Sequence, residues 1–208
     1  MPPVLTKQRG PYAKTAALRL KILETCIEMF GQTGFHSMTM KEVAQRVGIS
    51  NTGLLHHFAS KDELLFGVLG LDDERRKQFF LERGLAVMSI PDDVDEIKSL
   101  LKTLVTSELQ PGLIELHSTL AAEAASPDHP AHESYRNRYA NVVRYYTQAF
   151  QALAAAGEMK TDAEPEAVAG MFVALTDGLQ LQWLYERDTL RLERNVSAFL
   201  RSFVKGID

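Results

Sequence analysis

Apolar positions recur along this chain at helical spacing, and no strand-length run alternates apolar with polar. Leu23, Cys26, Ile27 and Phe30 follow the i, i+3, i+4, i+7 rule, so an amphipathic helix is expected from about Lys14 to Gln32, ended by Gly34. Cys26 lies on the buried stripe of that helix, among apolar neighbours that would not support a reactive thiolate, so it belongs to packing. Thr39-Met40-Lys41-Glu42 fits a capping box: the threonine hydroxyl accepts from the backbone three residues on, and the glutamate reaches back. The short helix it opens buries Met40, Val43, Ala44 and Val47 and stops at Gly48, where a residue tolerant of positive φ turns the chain. Ile49 re-enters the core, Ser50 or Asn51 opens a third helix through Phe58, and Ser60-Lys61-Asp62-Glu63 is a second capping box. The helix it starts runs toward Arg83. Two short helices joined at a glycine, with small Ala44 at the crossing, form a helix-turn-helix pattern.

Beyond Gly84 the helices lengthen and the breaks between them are clear. One is expected from Val94 to Leu109 and another from Pro111 to near Ala125. The loop Ser126-Pro127-Asp128-His129-Pro130 precedes a long helix from Ala131 to Ala156, closed by Gly157. Pro165 suits the first turn of the next, which runs to Arg187, and a last helix spans Leu190 to Val204. The chain is expected to be all-α, with nine or ten helices and no repeats.

Composition narrows the class without changing this picture. With 208 residues, 45% hydrophobic and 24% charged, and one cysteine, the chain is neither disordered nor disulfide-stapled. No apolar stretch is long enough to span a bilayer, and the N-terminus lacks the apolar segment of a secretion signal, so a soluble, cytoplasmic protein without membrane contact is expected. The net charge of −4 is unevenly divided. Through Lys61 eight basic residues face three acids, giving +5, and the remainder carries 15 basic and 24 acidic residues, giving −9. A cationic N-terminal module on an anionic body suits a chain whose one end meets a polyanion.

The residues Ile22-Leu23, Phe30, Gly34-Phe35, Thr39, Val43-Ala44, Val47-Gly48-Ile49-Ser50, Leu54, His57-Phe58, Lys61 and Glu63-Leu64, at this spacing, resemble the N-terminal domain of the TetR family of bacterial transcriptional regulators. Two positions depart from the family pattern: Leu55 stands where an aromatic is usual, and the usual glycine of position 52 is displaced to Gly53. The resemblance implies an N-terminal three-helix helix-turn-helix domain over residues 1–61 and a larger helical ligand-binding and dimerisation domain over 62–208. It places DNA contacts at Thr39, Lys41, Asn51, Thr52, Gly53, Leu55, His56, His57 and Lys61. The residue types agree. Small or polar Asn51, Thr52 and Gly53 let the helix backbone approach base edges, and Thr39, Lys41 and Lys61 at helix starts suit phosphates. His57 packed against the first helix is the competing assignment. Adjacent His56 and His57 point about 100° apart with no cysteine or carboxylate to complete a ligand set, so no metal is expected there. His129 and His132 read as solvated or capping.

One helix-turn-helix reads half a site, so a symmetric dimer is expected. The Pro165–Arg187 helix carries an apolar stripe and a second row of small residues, Gly170, Ala174 and Gly178. With Tyr139, Val143, Tyr146 and Phe150 of the preceding long helix, these are the expected interface, in the four-helix form the family uses. Packing within one subunit is the alternative. The resemblance also implies an effector pocket in the body, for which Phe79, Phe80, Leu104, Leu116, His117, Leu120 and Trp183 are candidates, each equally an ordinary core position. The expected function is a ligand-responsive, sequence-specific regulator, a repressor released from a palindromic operator by a small apolar or aromatic effector, with no cofactor. An all-α enzyme lacks its motifs: there is no glycine-rich phosphate loop, no Gly-x-Ser-x-Gly and no His-Glu-x-x-His. A helical interaction module without a DNA role remains the other alternative. Lys7, Arg9 and Lys14 precede or open the first helix as a basic arm. Deleting residues 1–13 is expected to weaken binding to specific and random duplexes alike, measured as a Kd at fixed salt; an unchanged affinity rejects the arm.

Overall fold

The computed structural model describes residues 11–82, 84, 88–107, 111–188 and 190–207, with side chains among them except at 11, 12, 103–107 and 111. Among the described residues there are nine α-helices: α1 Pro11–Ser37, α2 Met40–Val47, α3 Asn51–His57, α4 Lys61–Glu82, α5 Val94–Ser107, α6 Pro111–Glu123, α7 His132–Ala155, α8 Pro165–Tyr185 and α9 Leu192–Phe203. The one β-type pairing among them is an isolated antiparallel bridge between Met159 and Val204. The ends expected at Arg83 and Leu109 fall outside the described residues.

Local chemistry sets the N-terminal helices where the sequence placed them. At the start of α2, the Glu42 amide donates to the Thr39 hydroxyl at 3.3 Å and the Thr39 amide to the Glu42 carboxylate at 2.9 Å. Gly48 ends that helix at φ 85°, with its N–H donating to the Ala44 carbonyl at 3.0 Å. The box before α4 closes slightly differently. The Glu63 amide donates to Ser60 at 3.0 Å, but the Glu63 carboxylate accepts from the Ala59 amide, one residue before the cap. Helix α1 runs past its expected end, because Gly34 (φ 77°) breaks the helical path and the chain resumes one more turn to Ser37. A side chain at Gly34 would meet the Glu123 carboxylate, which accepts the Phe35 amide at 2.8 Å.

Two apolar cores form. The first gathers Ile22, Cys26 and Phe30 of α1, Val43 and Ala44 of α2, Leu54 and Phe58 around α3, and Leu64, Leu65 and Val68 of α4. It also takes in Leu116 and Leu120 of α6 and Tyr135 of α7, so the small helices lean on the larger body. Burial pushes the Cys26 thiol up to about 12, which leaves it a neutral packing group. The second core joins Phe80 of α4 to Ile97 and Leu101 of α5, Phe150 and Leu153 of α7, Phe172 of α8 and Val196 and Leu200 of α9.

Helix α4 is therefore shared, burying its first turns in one core and its last in the other. It packs tightly at Gly67, where an added Cβ would lie 2.9 Å from both Leu23 Cδ2 of α1 and Phe58 Cε1 at the end of α3. Gly70, one turn on, has nothing within 4 Å of such a carbon. Opposite outcomes follow on one helix. Gly67→Val is expected to lower stability by about 1–3 kcal/mol through overpacking, and Gly70→Ala to raise it by about 0.5–1 kcal/mol through helix propensity, both read from urea unfolding at one protein concentration.

Candidate DNA-binding surface and ligand cavity

The seven-residue helix α3 is anchored along one side and open along the other. Leu54 and, at its C-cap, Phe58 are fully buried, whereas Asn51, Thr52, Leu55 and His56 are exposed and Gly53 and His57 half-buried. Ser50 caps the helix by accepting from the Gly53 amide at 3.0 Å. The Arg19 guanidinium lies 3.9 Å over the Phe58 ring and donates to the His57 carbonyl at 2.5 Å. A cation on a C-terminal carbonyl satisfies a group the helix leaves unpaired, so α3 is held at both ends with its polar face outward.

Several charges counted toward the +5 module have structural duties. Lys21 donates to the Val47 carbonyl at the end of α2 at 2.9 Å, and Arg46 pairs with Glu28 at 3.7 Å. Lys61 donates to the carbonyls of Met38 and His36 at 3.0 and 3.2 Å and lies 4.4 Å over the Phe35 ring, which ties the start of α4 to the chain entering α2. The Thr39 hydroxyl also donates to Glu42, at 2.7 Å. Lys41 is exposed at the first turn of α2, and Lys14 is exposed on α1. Lys7 and Arg9 lie outside the described residues.

A cavity of about 280 Å³ lies among α4, α6, α7 and α8. Of the expected effector residues, it brings Phe80 and His117 to its wall. Leu116 and Leu120 are fully buried in the first core instead. On α6 these two share a face turned to α1, whereas His117, Ser118 and Ala121 come round to the cavity. Phe79 packs edge-on against Phe80 at 5.7 Å without reaching the wall. Trp183 lies under the Arg187 guanidinium at 5.1 Å, also off the wall, and the side chain of Leu104 lies outside the described residues. Tyr139 and Tyr146, expected at a subunit interface, line the cavity, as does Gly178. Phe150 is fully buried in the second core, which leaves it no surface to offer a partner, and Val143 is half-buried against the same core. Arg76, Tyr135, Arg138, Tyr145 and Asp177 complete much of the wall and were missed. The signal for three of them was present: Tyr135, Arg138, Tyr139, Val142 and Tyr145 make a row of mixed polar and aromatic residues along one face of α7.

A buried polar cluster closes one end of the cavity. Asp72 of α4 is only 7% exposed. It pairs with Arg76 one turn on, and it meets His117 Nε2 at 3.0 Å and Arg138 at 3.5 Å. His117 Nδ1 lies 2.9 Å from the Tyr135 hydroxyl. Burial alone would raise the Asp72 pKa, but the His117 hydrogen bond and the two guanidinium charges hold it well below the usual carboxylate range. For His117, burial, reinforced by Arg138, outweighs the pull of Asp72 and lowers the pKa to about 4. The neutral ring must give its Nε2–H to the acceptor-only carboxylate, so Nδ1 accepts from Tyr135, whose own ionisation burial opposes. At the far wall Asp177 is exposed to solvent, and its hydrogen-bond partner is the Tyr139 hydroxyl. Tyr145 is buried at the wall, and its hydroxyl has no hydrogen-bond partner among the described residues. Among the described residues no group of three or more His, Cys, Asp or Glu could hold a metal ion, and no helix is long and apolar enough to cross a membrane.

An outward-facing second helix of a helix-turn-helix, carried on a helical body with an internal cavity, defines a class of DNA-binding regulators. Residues 22–68 match the family model described as bacterial regulatory proteins, tetR family, and residues 95–207 match that of the C-terminal part of BetI-type transcriptional repressors. The chain belongs to the TetR family, and it is a DNA-binding transcriptional regulator rather than an enzyme. It is 26% identical over 189 residues to the HTH-type transcriptional regulator UidR of Escherichia coli K12, covering 91% of this chain and 92% of UidR. The fold is shared with a putative transcriptional regulator from Saccharomonospora viridis in complex with choline (TM-score 0.74, 19% identity, 91% of this chain and 99% of the other). It is shared too with SmeT of Stenotrophomonas maltophilia in a triclosan complex (TM-score 0.71, 19% identity, 92% and 94%).

Because the unfolded chain protonates His117 near its ordinary pKa while the folded chain resists until about 4, stability is full above that ordinary value and falls as the pH drops between the two. The loss is expected to be on the order of 3 kcal/mol. His117→Gln should flatten that part of a denaturant-stability profile taken from pH 7 to pH 4 at fixed protein concentration.

Proposed function

We propose that this regulator acts in the cytoplasm as a homodimeric repressor, in which residues 1–61 read the operator and residues 62–208 dimerise and bind a small effector. The observation that carries this is the pairing of an anchored, outward α3 face with an unpartnered apolar face on α8. That second face runs through Gly170, Ala174 and Gly178 and is flanked by Leu181, 49% exposed, and Tyr185, 83% exposed. An added Cβ at Gly170 would find nothing within 4 Å, so another backbone can approach closely there, whereas Gly178 also borders the cavity. A contiguous exposed apolar patch of this kind favours a second copy. With Phe150 internal, the interface rests on α8 together with exposed Tyr139 of α7.

On DNA, Asn51, Thr52, Leu55 and His56 face the base edges. Leu55, 42% exposed, supplies an apolar contact suited to a thymine methyl, and Lys41 supplies a phosphate contact beside α2. A bound dimer represses by excluding polymerase, and an effector in the cavity releases it by favouring a different spacing of the two α3 helices. The choline and triclosan held by the two structural relatives make small-molecule response the natural use of the cavity.

Selection of bound duplexes from a random pool tests the proposal. A palindrome with half-sites ~34 Å apart, or a multiple of that, is expected. Ala174→Glu should turn the dimer into a monomer in analytical ultracentrifugation and lower affinity for the selected duplex far more than for random DNA. No affinity for any duplex at low salt would return the chain to the interaction-module alternative.

A further inference from the structure

The cavity has a closed inner end and an exposed outer edge. Of the described residues on its wall, all are buried or half-buried except Tyr139, Asp177 and Leu181. These three sit where α7 meets α8, and the Tyr139 hydroxyl donates to the Asp177 carboxylate across that junction. A second, polar cleft lies between α4 and α7. It shares Arg76, Met88, His117, Tyr135, Arg138 and Val142 with the cavity, so these side chains form a partition between the two. The buried Asp72 carboxylate holds three of them in place through its contacts with Arg76, His117 and Arg138. The mouth of the cavity is therefore the edge between Tyr139 and Leu181. On α8, Asp177 and Leu181 stand three and seven residues on from Ala174, which sets them on the helix face that carries Gly170 and Ala174. That is the unpartnered face, with Ala174 exposed and open space beyond Gly170. A helix packed on it at the shallow angle of helix bundles, about 20°, runs alongside α8 for several turns. The step from Ala174 to Leu181 rises only about 10 Å, so a seam that buries Ala174 also covers the mouth.

We infer that a second copy of this chain closes the effector cavity, so that the ligand site is complete only in the dimer. Leu181, 49% exposed, and the Tyr139 ring, 38% exposed, then serve as cavity wall on one side and subunit contact on the other. A ligand enters or leaves when the seam loosens, so the cavity exchanges its contents more slowly in the dimer than in the monomer. A ligand that needs the closed site binds the dimer better than the monomer, and by linkage it tightens the dimer in return. Operator release is then a change in the spacing of the two α3 helices within an intact dimer, not separation into monomers. The inference rests on the dimer and effector cavity proposed above and adds how the first closes the second.

Thiol labelling of the full chain measures the closure without a known ligand. Ser118 stands on the α6 wall of the cavity, and the native Cys26 is buried, so the unaltered chain is the blank for Ser118→Cys. Its rate with N-ethylmaleimide is followed by mass spectrometry over a dilution series whose dimer content is read by analytical ultracentrifugation. With about nine-tenths of the chain dimeric, the rate should be about tenfold below that of the dilute monomer, because only the dissociated fraction reacts. Adding Ala174→Glu should restore the fast rate at every concentration. Asn137→Cys, exposed in the cleft between α4 and α7, should react equally fast in monomer and dimer. A Ser118→Cys rate that is the same in monomer and dimer, whether fast or slow, overturns the inference and leaves the dimeric regulator standing. An equal slowing at Asn137→Cys overturns it too, since the protection would then have nothing to do with the mouth. A chain that stays monomeric in the ultracentrifuge at every concentration rejects the dimer itself, a separate failure with its own readout.

Discussion

The Asp72 carboxylate cannot remain ionised inside the fold without partners, and that requirement organises the middle of the molecule. Burying an unpaired carboxylate costs several kcal/mol, so α4 must meet α6 and α7 where His117 and Arg138 can reach it. Arg76 on α4 itself neutralises the charge, and Tyr135 completes the chain of hydrogen bonds from the other side of His117. Helix crossings that apolar packing alone would leave tolerant of sliding are thereby held in one register. The same side chains face the cavity, so the contacts that set the crossing also meet whatever the cavity holds.

Helix α4 extends this constraint to the DNA-reading end. Leu64, Leu65 and Val68 belong to the core that supports α3, and Phe80 belongs to the core beside the cavity. At Gly67 the helix backbone comes too close to Leu23 and Phe58 for even a methyl group to fit without a shift. Packed cores do not deform smoothly, so in the function proposed above a displacement of the C-terminal half of α4 would be passed on as a tilt of the small helices. A ligand moves that balance only to the extent that it binds the two arrangements unequally, and a wall made of ion pairs is well placed to supply that difference.

The electrostatics of the DNA-reading end differ from what a residue count suggests. Arg19 and Lys21 satisfy carbonyls at the ends of α3 and α2, and Lys61 holds the start of α4 to the chain before α2. These cations stiffen the reading helices more than they extend toward a phosphate. In the function proposed above, recognition leans on the exposed face of α3, where Leu55 and the displaced Gly53 alter the family pattern, with Lys41 supplying attraction.

What could be read without coordinates was whatever local rules decide. Capping boxes at Thr39 and Ser60, the left-handed stop at Gly48 and the i, i+3, i+4, i+7 stripe of α1 act within a few residues, and they placed the helix-turn-helix and the outward face of α3 correctly. Cys26 as a packing group followed from the same periodicity. The cavity could not be read this way, because an apolar residue carries no mark of which neighbour its face will meet. Leu116 and His117 are adjacent in the chain, yet one enters the first core and the other the cavity, and Tyr146 and Phe150 lie inside the subunit where their stripe alone suited a dimer seam equally well. Only the crossing of α4, α6, α7 and α8 decides those faces, since it alone brings together charges as far apart in the chain as Asp72 and Arg138.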